Sequence, residues 1–447
     1  MKILLNITHG FQARMLLRSG IEKHLADNGA DIVVVSPNAD EPYFKEECQK
    51  LGFAVESIDP HHSIAEKLIS NTRSYFLMNP SLGSTMHHKR DLYKKNYPIR
   101  HYTTRAGNLV LGRVPALRKG YLKGESRLFP GKKFDHILEA HKPDLAVSGT
   151  PGFSLLDAHL LRSAKRLGIP STTVMLSWDN LTSKGYMSAQ PDSLLTWSTL
   201  MMEEARHYHD FNGPIFEAGA AQFDIYKHHQ GQQSKADFKK KLGVPEDKPL
   251  IVFGTINASI YPKQMEALKT YIDTLAKWDT PPTLWARLHP QSVYGPFEHL
   301  KEEYLKLQSD DVIVEIPKVR SKSLLWDLPR KDMEHLADLM FAADVMVTPQ
   351  STLTIDAACA DTPIINLGIE PSFRKVFKYT HYQNITKHHA VWIADTYDEL
   401  EKATRTYIDS ASRHQEGRKA VVKEQLGNYL GQAAKRSADL LCQLAND

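Results

Sequence analysis

Val347–Asn366 reads VTPQSTLTIDAACADTPIIN. The apolar run Asp344-Val345-Met346-Val347 enters Thr-Pro-Gln-Ser-Thr, a small-residue stretch follows, and Thr362-Pro363 leads into a second apolar run. Apolar run, helix-length small-residue stretch, apolar run is the pattern of strand, helix, strand in a parallel sheet. Two hydroxyls, Ser351 and Thr352, stand where the strand turns into the helix. They can cap the helix by accepting from its first N–H groups. They can also serve a bound phosphate, because those N–H groups lack internal partners and the helix dipole is positive there.

The same rhythm extends outward. Upstream lie the apolar runs Pro249–Gly254, Thr283–Leu288 and Val312–Ile316, and Pro363–Leu367 completes the set. The N-terminal half repeats it with Lys2–Ile7, Asp31–Ser36, Gly52–Ile58, Asp144–Ser148, Thr172–Leu176 and Leu194–Trp197. Apolar spacing predicts helices at Gln12–Asn28, which Gly29 stops, and around Leu155–Leu167. At 447 residues the chain suits two cores rather than one. The expected fold class is therefore α/β with two Rossmann-like domains, their parallel sheets facing a central cleft. The expected division is an acceptor-side domain at 1–227 with a basic insert at 60–135, then a polar linker at 228–240. A nucleotide-sugar-binding domain follows at 241–410, and helices at 411–447 cross back to the first domain.

Apolar content of 42% and charged content of 24% are those of a globular protein. A net charge of +4 does not imply a general polyanion binder. The charge is uneven, however. Between Lys89 and Lys133 stand thirteen Lys/Arg against Asp91 and Glu125, with Tyr93, Tyr97, Tyr102, Tyr121 and Phe129 interleaved. Such a face is either a solvated surface or a landing site for an anionic acceptor or anionic lipid. No nucleic-acid module accompanies it. Cys48, Cys359 and Cys442 are scattered without metal spacing, which suits a reducing compartment. No apolar run approaches membrane-spanning length. The expected place is the cytoplasm, with peripheral contact to the inner face of a membrane.

Ligands of doubly wound sheets bind beyond the carboxyl ends of the strands. Four stretches at such ends carry polar groups. Gly254-Thr255 closes one strand, where glycine permits close approach to a ligand. Arg287-Leu288-His289-Pro290 closes another and aims His289 out of the strand end. Gln350-Ser351-Thr352 is the third, and Asp356, five residues on, is a candidate for a ribose hydroxyl.

Alanine-Arg-Leu-His-Pro-Gln at 286–291, followed by ADVMVTPQSTLTIDAACADTPIIN, resembles the donor domain of the two-Rossmann (GT-B) glycosyltransferases. More narrowly it is similar to the bacterial branch with a His-Pro and a Ser-Ser/Thr motif: CDP-glycerol glycerophosphotransferases and the capsule transferases for Kdo and sialic acids. The resemblance implies a CMP-, CDP- or UDP-linked sugar donor whose phosphates meet His289, Ser351 and Thr352, a glycan or lipid-linked acceptor, no further cofactor, and metal-independent inverting transfer. The expected donor-binding set is Gly254, Thr255, Arg287, His289, Gln350, Ser351, Thr352 and Asp356.

Transfer needs a base for the acceptor's proton. Candidates follow strands of the first domain: His9, Asp179 and Asp157, each of which can equally be a capping or core-edge residue. Arg14, Trp178, Asn180 and Lys184 are the acceptor-side candidates, with the Trp178 ring available to a sugar face. The sequence shows no metal motif. Two alternatives share the fold: a nucleotide-sugar 2-epimerase and a non-catalytic nucleotide-binding scaffold. The Glu-Ala-Gly-Leu-Arg-like stretch and the Ser-Gly-Gly turn of the epimerases are both missing here; Gln350-Ser351-Thr352 occupies the turn's place.

Overall fold

In the computed structural model the apolar runs pair into two separate parallel sheets. The structure describes all residues except 83–85, 88, 89, 91–93, 95, 96, 293, 322, 323, 325, 326 and 372. The first sheet holds β1 (Lys2–Asn6), β2 (Asp31–Ser36), β3 (Ala54–Ser57), β4 (Leu145–Ser148), β5 (Ser171–Val174), β6 (Ser193–Thr196) and β7 (Ile215–Glu217), in the order β3-β2-β1-β4-β5-β6-β7. The second holds β8 (Leu250–Gly254), β9 (Thr283–Arg287), β10 (Val312–Glu315), β11 (Val345–Thr348), β12 (Ile364–Leu367) and β13 (Trp392–Ala394), in the order β10-β9-β8-β11-β12-β13.

The central strands are covered on both faces, which explains their unbroken apolar sequences. In β1 Ile3, Leu4 and Leu5 are fully buried, as are Ile251, Val252 and Phe253 of β8. Register follows: Ile3 lies beside Leu145 and Leu5 beside Val147, while Val345 lies beside Ile251 and Val347 beside Phe253. Under the first sheet, Leu4, Val33, Val35 and Ala146 pack with Phe134, Leu138 and Leu160. In each sheet the strand order reverses once, between β1 and β4 and between β8 and β11. Those two points are where a doubly wound sheet opens its crevice.

Three sequence expectations change. The helix expected over Gln12–Asn28 is two, Gly10–Leu17 and Ile21–Asp27, because Gly20 takes φ +103 between them. A side chain there would also press on Ala434, at 3.3 Å from its Cβ. Residues 228–240, polar enough to suggest a linker, are mostly helical. Helix Asp224–His229 runs into them, and helix Lys235–Leu242 starts on a capping box between Ser234 and Asp237. Its polar face meets solvent while Phe238 stacks on Phe341 at 5.2 Å and Lys235 pairs with Asp344 at 2.9 Å. Finally, β7 and β13 were not anticipated. Each is a three-residue edge strand, too short to leave an apolar pattern.

The chain divides into two compact units. One comprises Met1–Ala221, Tyr379–His381 and Gln425–Asp447; the other comprises Gln222–Lys378 and Tyr382–Glu424. Helices Ile64–Phe76, Pro98–Leu111 and Pro115–Leu128 form most of the basic insert. Lys89, Asp91, Tyr93 and Lys95 of that insert lie outside the described residues.

Candidate functional site

The second unit brings three of the expected loops side by side, because β9, β8 and β11 are neighbours. Their ends span roughly 10 Å, two inter-strand spacings. Each loop is pinned. After β8, Gln264 grips Ile256 twice, accepting from its N–H and donating to its carbonyl, both at 2.8 Å. Ser292 from the β9 loop donates to the same carbonyl at 2.7 Å. Thr255 Oγ1 accepts from the His289 N–H at 2.7 Å, and Asn257 donates to Gln291. After β11, buried Asn366 donates to the Thr348 and Pro349 carbonyls at 3.2 and 2.9 Å, and Tyr382 donates to Asn366 Oδ1 at 2.7 Å. The rim is thus held rigid before any ligand arrives.

His289 is neutral: burial lowers its pKa to about 4. Its Nδ1 accepts from the Gln291 N–H at 3.1 Å, which places the ring proton on Nε2. A neutral N–H donor of this kind suits a phosphate oxygen. Gln350, Ser351 and Thr352 are half-buried on the β11 loop. Ser351 Oγ accepts from the Leu353 N–H at 3.2 Å and its carbonyl accepts from Thr354 N at 3.1 Å. Capping is therefore an observed role of Ser351, and its O–H proton remains to donate. Thr352 caps nothing with its side chain.

Three expected donor ligands are otherwise engaged. Arg287 is buried and its guanidinium is held by Glu315 and, at 2.7 Å, by Asp332. Asp356 is buried and its Oδ1 accepts from the Tyr226 hydroxyl at 2.8 Å. Gly254 has no room for a ligand where its side chain would be: a Cβ would stand 2.4 Å from Leu353 and 2.7 Å from Met346. The glycine serves packing of the chain on itself.

In the first unit, the β1 and β4 loops are tied through Asp157. Its carboxylate accepts from Asn6 at 2.7 Å, from Gln12 at 3.1 Å to both oxygens, and from Thr150 at 2.6 Å. Burial pushes the carboxyl up to about 6, against these donors. Asp157 is fully buried, and in this structure its carboxylate ties the two loops together. Gln12, which sequence reasoning missed, joins the network by accepting from Thr8 N.

Around the ends of β1 and β5 a charged group forms from His9, Asp179, Lys184 and His381. Burial and then the Lys184 charge lower His9 to about 4, and its Nδ1 caps helix Gly10–Leu17 by accepting from Phe11 N at 3.3 Å. The lone pair a base would need is engaged. Burial raises the Asp179 carboxyl, but the charges of Lys184 and His381 and hydrogen bonds from Ser177 and Ser183 outweigh it and hold the group at about 2. A carboxylate held so low accepts protons poorly near pH 7 and suits charge stabilisation better. Trp178 is buried with its ring edge-on to His381, centroids 5.1 Å apart, so its face is not open to a sugar. Asn180 is buried at the start of a one-turn helix, Lys184 at its end is exposed, and Arg14 is half-buried with Nε lacking a hydrogen-bond partner among the described residues. His381 had no signal in the sequence. It lies far along the chain and reaches this group only through the fold.

Chain spacing showed no metal constellation, yet among the described residues His62, Glu66 and His159 each bring one ligand atom within 4.8 Å of the others.

No protein-family model matches this sequence, and no curated protein does. Solved structures do. The Staphylococcus aureus MnaA–UDP structure aligns with a TM-score of 0.56 at 10% identity, over 100% of this chain and 97% of that one. The Methanocaldococcus jannaschii UDP-GlcNAc 2-epimerase with UDP-GlcNAc and UDP gives 0.55 at 13%, over 99% and 100%. A Rickettsia africae glycosyltransferase gives 0.54 at 11%, over 99% and 98%. The chain has the GT-B-like fold of these enzymes. At such identities the likeness covers fold and does not single out the capsule-transferase branch.

Proposed function

We propose that this protein is a nucleotide-sugar enzyme that holds a UDP-linked sugar on the second unit. The observation that carries the reading is the pinned rim on β9, β8 and β11, where His289 follows β9 and the Ser351 and Thr352 hydroxyls follow β11, the two strands that flank β8. Backbone N–H groups at a helix N-terminus, joined by hydroxyl donors on the same turn, can hold a phosphate without a metal. The choice of UDP rests on the ligands named in the similar structures.

Two chemistries fit. Epimerisation at C2 of the sugar is favoured by the number of 2-epimerases among the similar structures. Sugar transfer is favoured by the His-Pro and Ser-Thr motifs and by the absent Ser-Gly-Gly turn. Asp179, Lys184 and His381 supply charged and polar groups at the rim of the first unit for either. A thermal unfolding panel with CMP, CDP, UDP, GDP and TDP tests the donor. Ligand at 100 times its dissociation constant adds about 2.7 kcal/mol, and His289→Ala or Ser351→Ala should remove the shift. A flat panel overturns the assignment. UDP-GlcNAc in D2O without acceptor then separates the chemistries: an epimerase yields a C2-deuterated epimer, and a transferase does not.

The first unit also supports peripheral contact with an anionic bilayer. Ten of the fourteen large apolar side chains that stand exposed among the described residues lie between Ile64 and Leu128, including Ile64 at 85%, Ile99 at 80% and Leu128 at 73%. Six of them stand on helices Pro98–Leu111 and Pro115–Leu128, within the basic stretch, and a groove of about 570 Å³ is lined by Leu68, Tyr75, Phe76, Tyr97 and Ile99. Exposed aliphatics within positive charge are what an interfacial helix needs.

A further inference from the structure

We propose that His62, Glu66 and His159 form a binding site for one divalent transition-metal ion of the zinc class. Two imidazoles and a carboxylate are a recognised zinc donor set that leaves a fourth position for water. One ligand atom from each residue lies within 4.8 Å of the others. Tetrahedral zinc at about 2.0–2.2 Å from its ligands separates them by about 3.4 Å; Glu66 Oε1 and His159 Nε2 are already closer, at 3.0 Å, so it is the third ligand, His62, that must move in, by up to about 1.4 Å. His62 can supply that movement, since it sits in the half-exposed segment just before the Ser63 cap of helix Ile64–Phe76.

The other two ligands are set by the fold. Glu66 closes the capping box: its Oε2 accepts from Ser63 N and Ser63 Oγ, each at 2.9 Å. That leaves Oε1 turned to His159 Nε2, 3.0 Å away. His159, on helix Leu155–Leu167, is only 6% exposed. The rings of His62 and His159 lie 5.2 Å apart at 41°.

An independent observation points to a ligand. The Nδ1 atoms of both His62 and His159 are buried and have no hydrogen-bond partner among the described residues. A buried polar atom left without a partner is destabilising. A cation beside Glu66 Oε1 is met by His159 through Nε2, so it is the His62 Nδ1 lone pair that it satisfies. Lys133 lies nearby, but its ammonium is bound to Asp59 at 3.1 Å.

The test uses the full chain stripped with EDTA and titrated with Co²⁺, read by its visible absorption, and with Zn²⁺, read by calorimetry. One ion per chain is expected, with a raised unfolding midpoint in Zn²⁺. His62→Ala and His159→Ala should each weaken binding at least tenfold. Glu66→Gln keeps the capping box, since glutamine serves at that position, yet removes the charged ligand and should also weaken binding. Circular dichroism confirms that each variant is folded. No stoichiometric ion, or binding unchanged in the folded Glu66→Gln and His62→Ala proteins, overturns the site and assigns any uptake to the other histidines.

Discussion

Asp157 shows how a single residue can be read two ways. In sequence it is an acid at the start of a helix after a strand, the profile of a catalytic carboxylate. In the structure it is the acceptor at which Asn6, Gln12 and Thr150 meet. Asp157→Ala should therefore leave two buried donors, Asn6 and Gln12, and the half-buried Thr150 hydroxyl unpaired. The expected loss is about 3–5 kcal/mol in denaturant unfolding, as for one partner removed from a buried charged network. A loss below ~1 kcal/mol would mean the network is not as tight as its distances. Asp179 has the opposite character. Its folded pKa lies below the ordinary carboxylate value, so its stabilising contribution is present above about pH 4 and lost as pH falls toward 2. Asp179→Asn should flatten the acid limb of the stability profile between those values; an unchanged limb would remove the assignment.

Elements were legible where their pattern was long and failed where one residue decided. Eleven strands were expected near their observed places because buried parallel strands read as apolar runs. The helix break at Gly20 was not, since Met15, Leu16, Leu17, Ile21 and Leu25 keep a helical spacing across it. The positive φ that makes the break depends on helix Ala433–Asn446 packing there, which local sequence cannot report. Gly20→Ala meets both the strained backbone and Ala434. It should cost about 1–3 kcal/mol and lower the unfolding midpoint, whereas the same change at Gly120, with open space around it, should cost far less or stabilise the helix. Equal effects at the two positions would contradict the account.

At the scale of the whole molecule, two parallel sheets of seven and six strands carry rims of different chemistry. The second unit offers neutral donors at the ends of β9, β8 and β11. The first offers charged and titratable groups at the ends of β1 and β5, and a basic, partly apolar face on its inserted helices. The proposed bilayer contact predicts sedimentation with vesicles rich in anionic lipid and not with neutral ones. Each Lys or Arg near the surface is worth about 1 kcal/mol, so binding should fall steeply with salt. The double change Ile99→Asp and Val110→Asp should abolish it with the fold intact. Binding that persists in neutral vesicles or in that variant would remove the basic, apolar face from consideration.

The sequence by itself determined the two-sheet α/β architecture, because strand burial on both faces writes itself as contiguous apolar residues. It also located the polar loops at strand ends, because strand-to-helix turns select Gly, Pro, Ser and Thr. Only the tertiary structure decided what those polar groups do. Arg287, Asp356 and Asp157 were taken up by Glu315 and Asp332, by Tyr226, and by Asn6, Gln12 and Thr150. His381 and the His62–Glu66–His159 group came into being. Most of the deciding partners lie tens to hundreds of residues away, and a hydrogen bond or ion pair near 3 Å leaves no periodic trace along the chain.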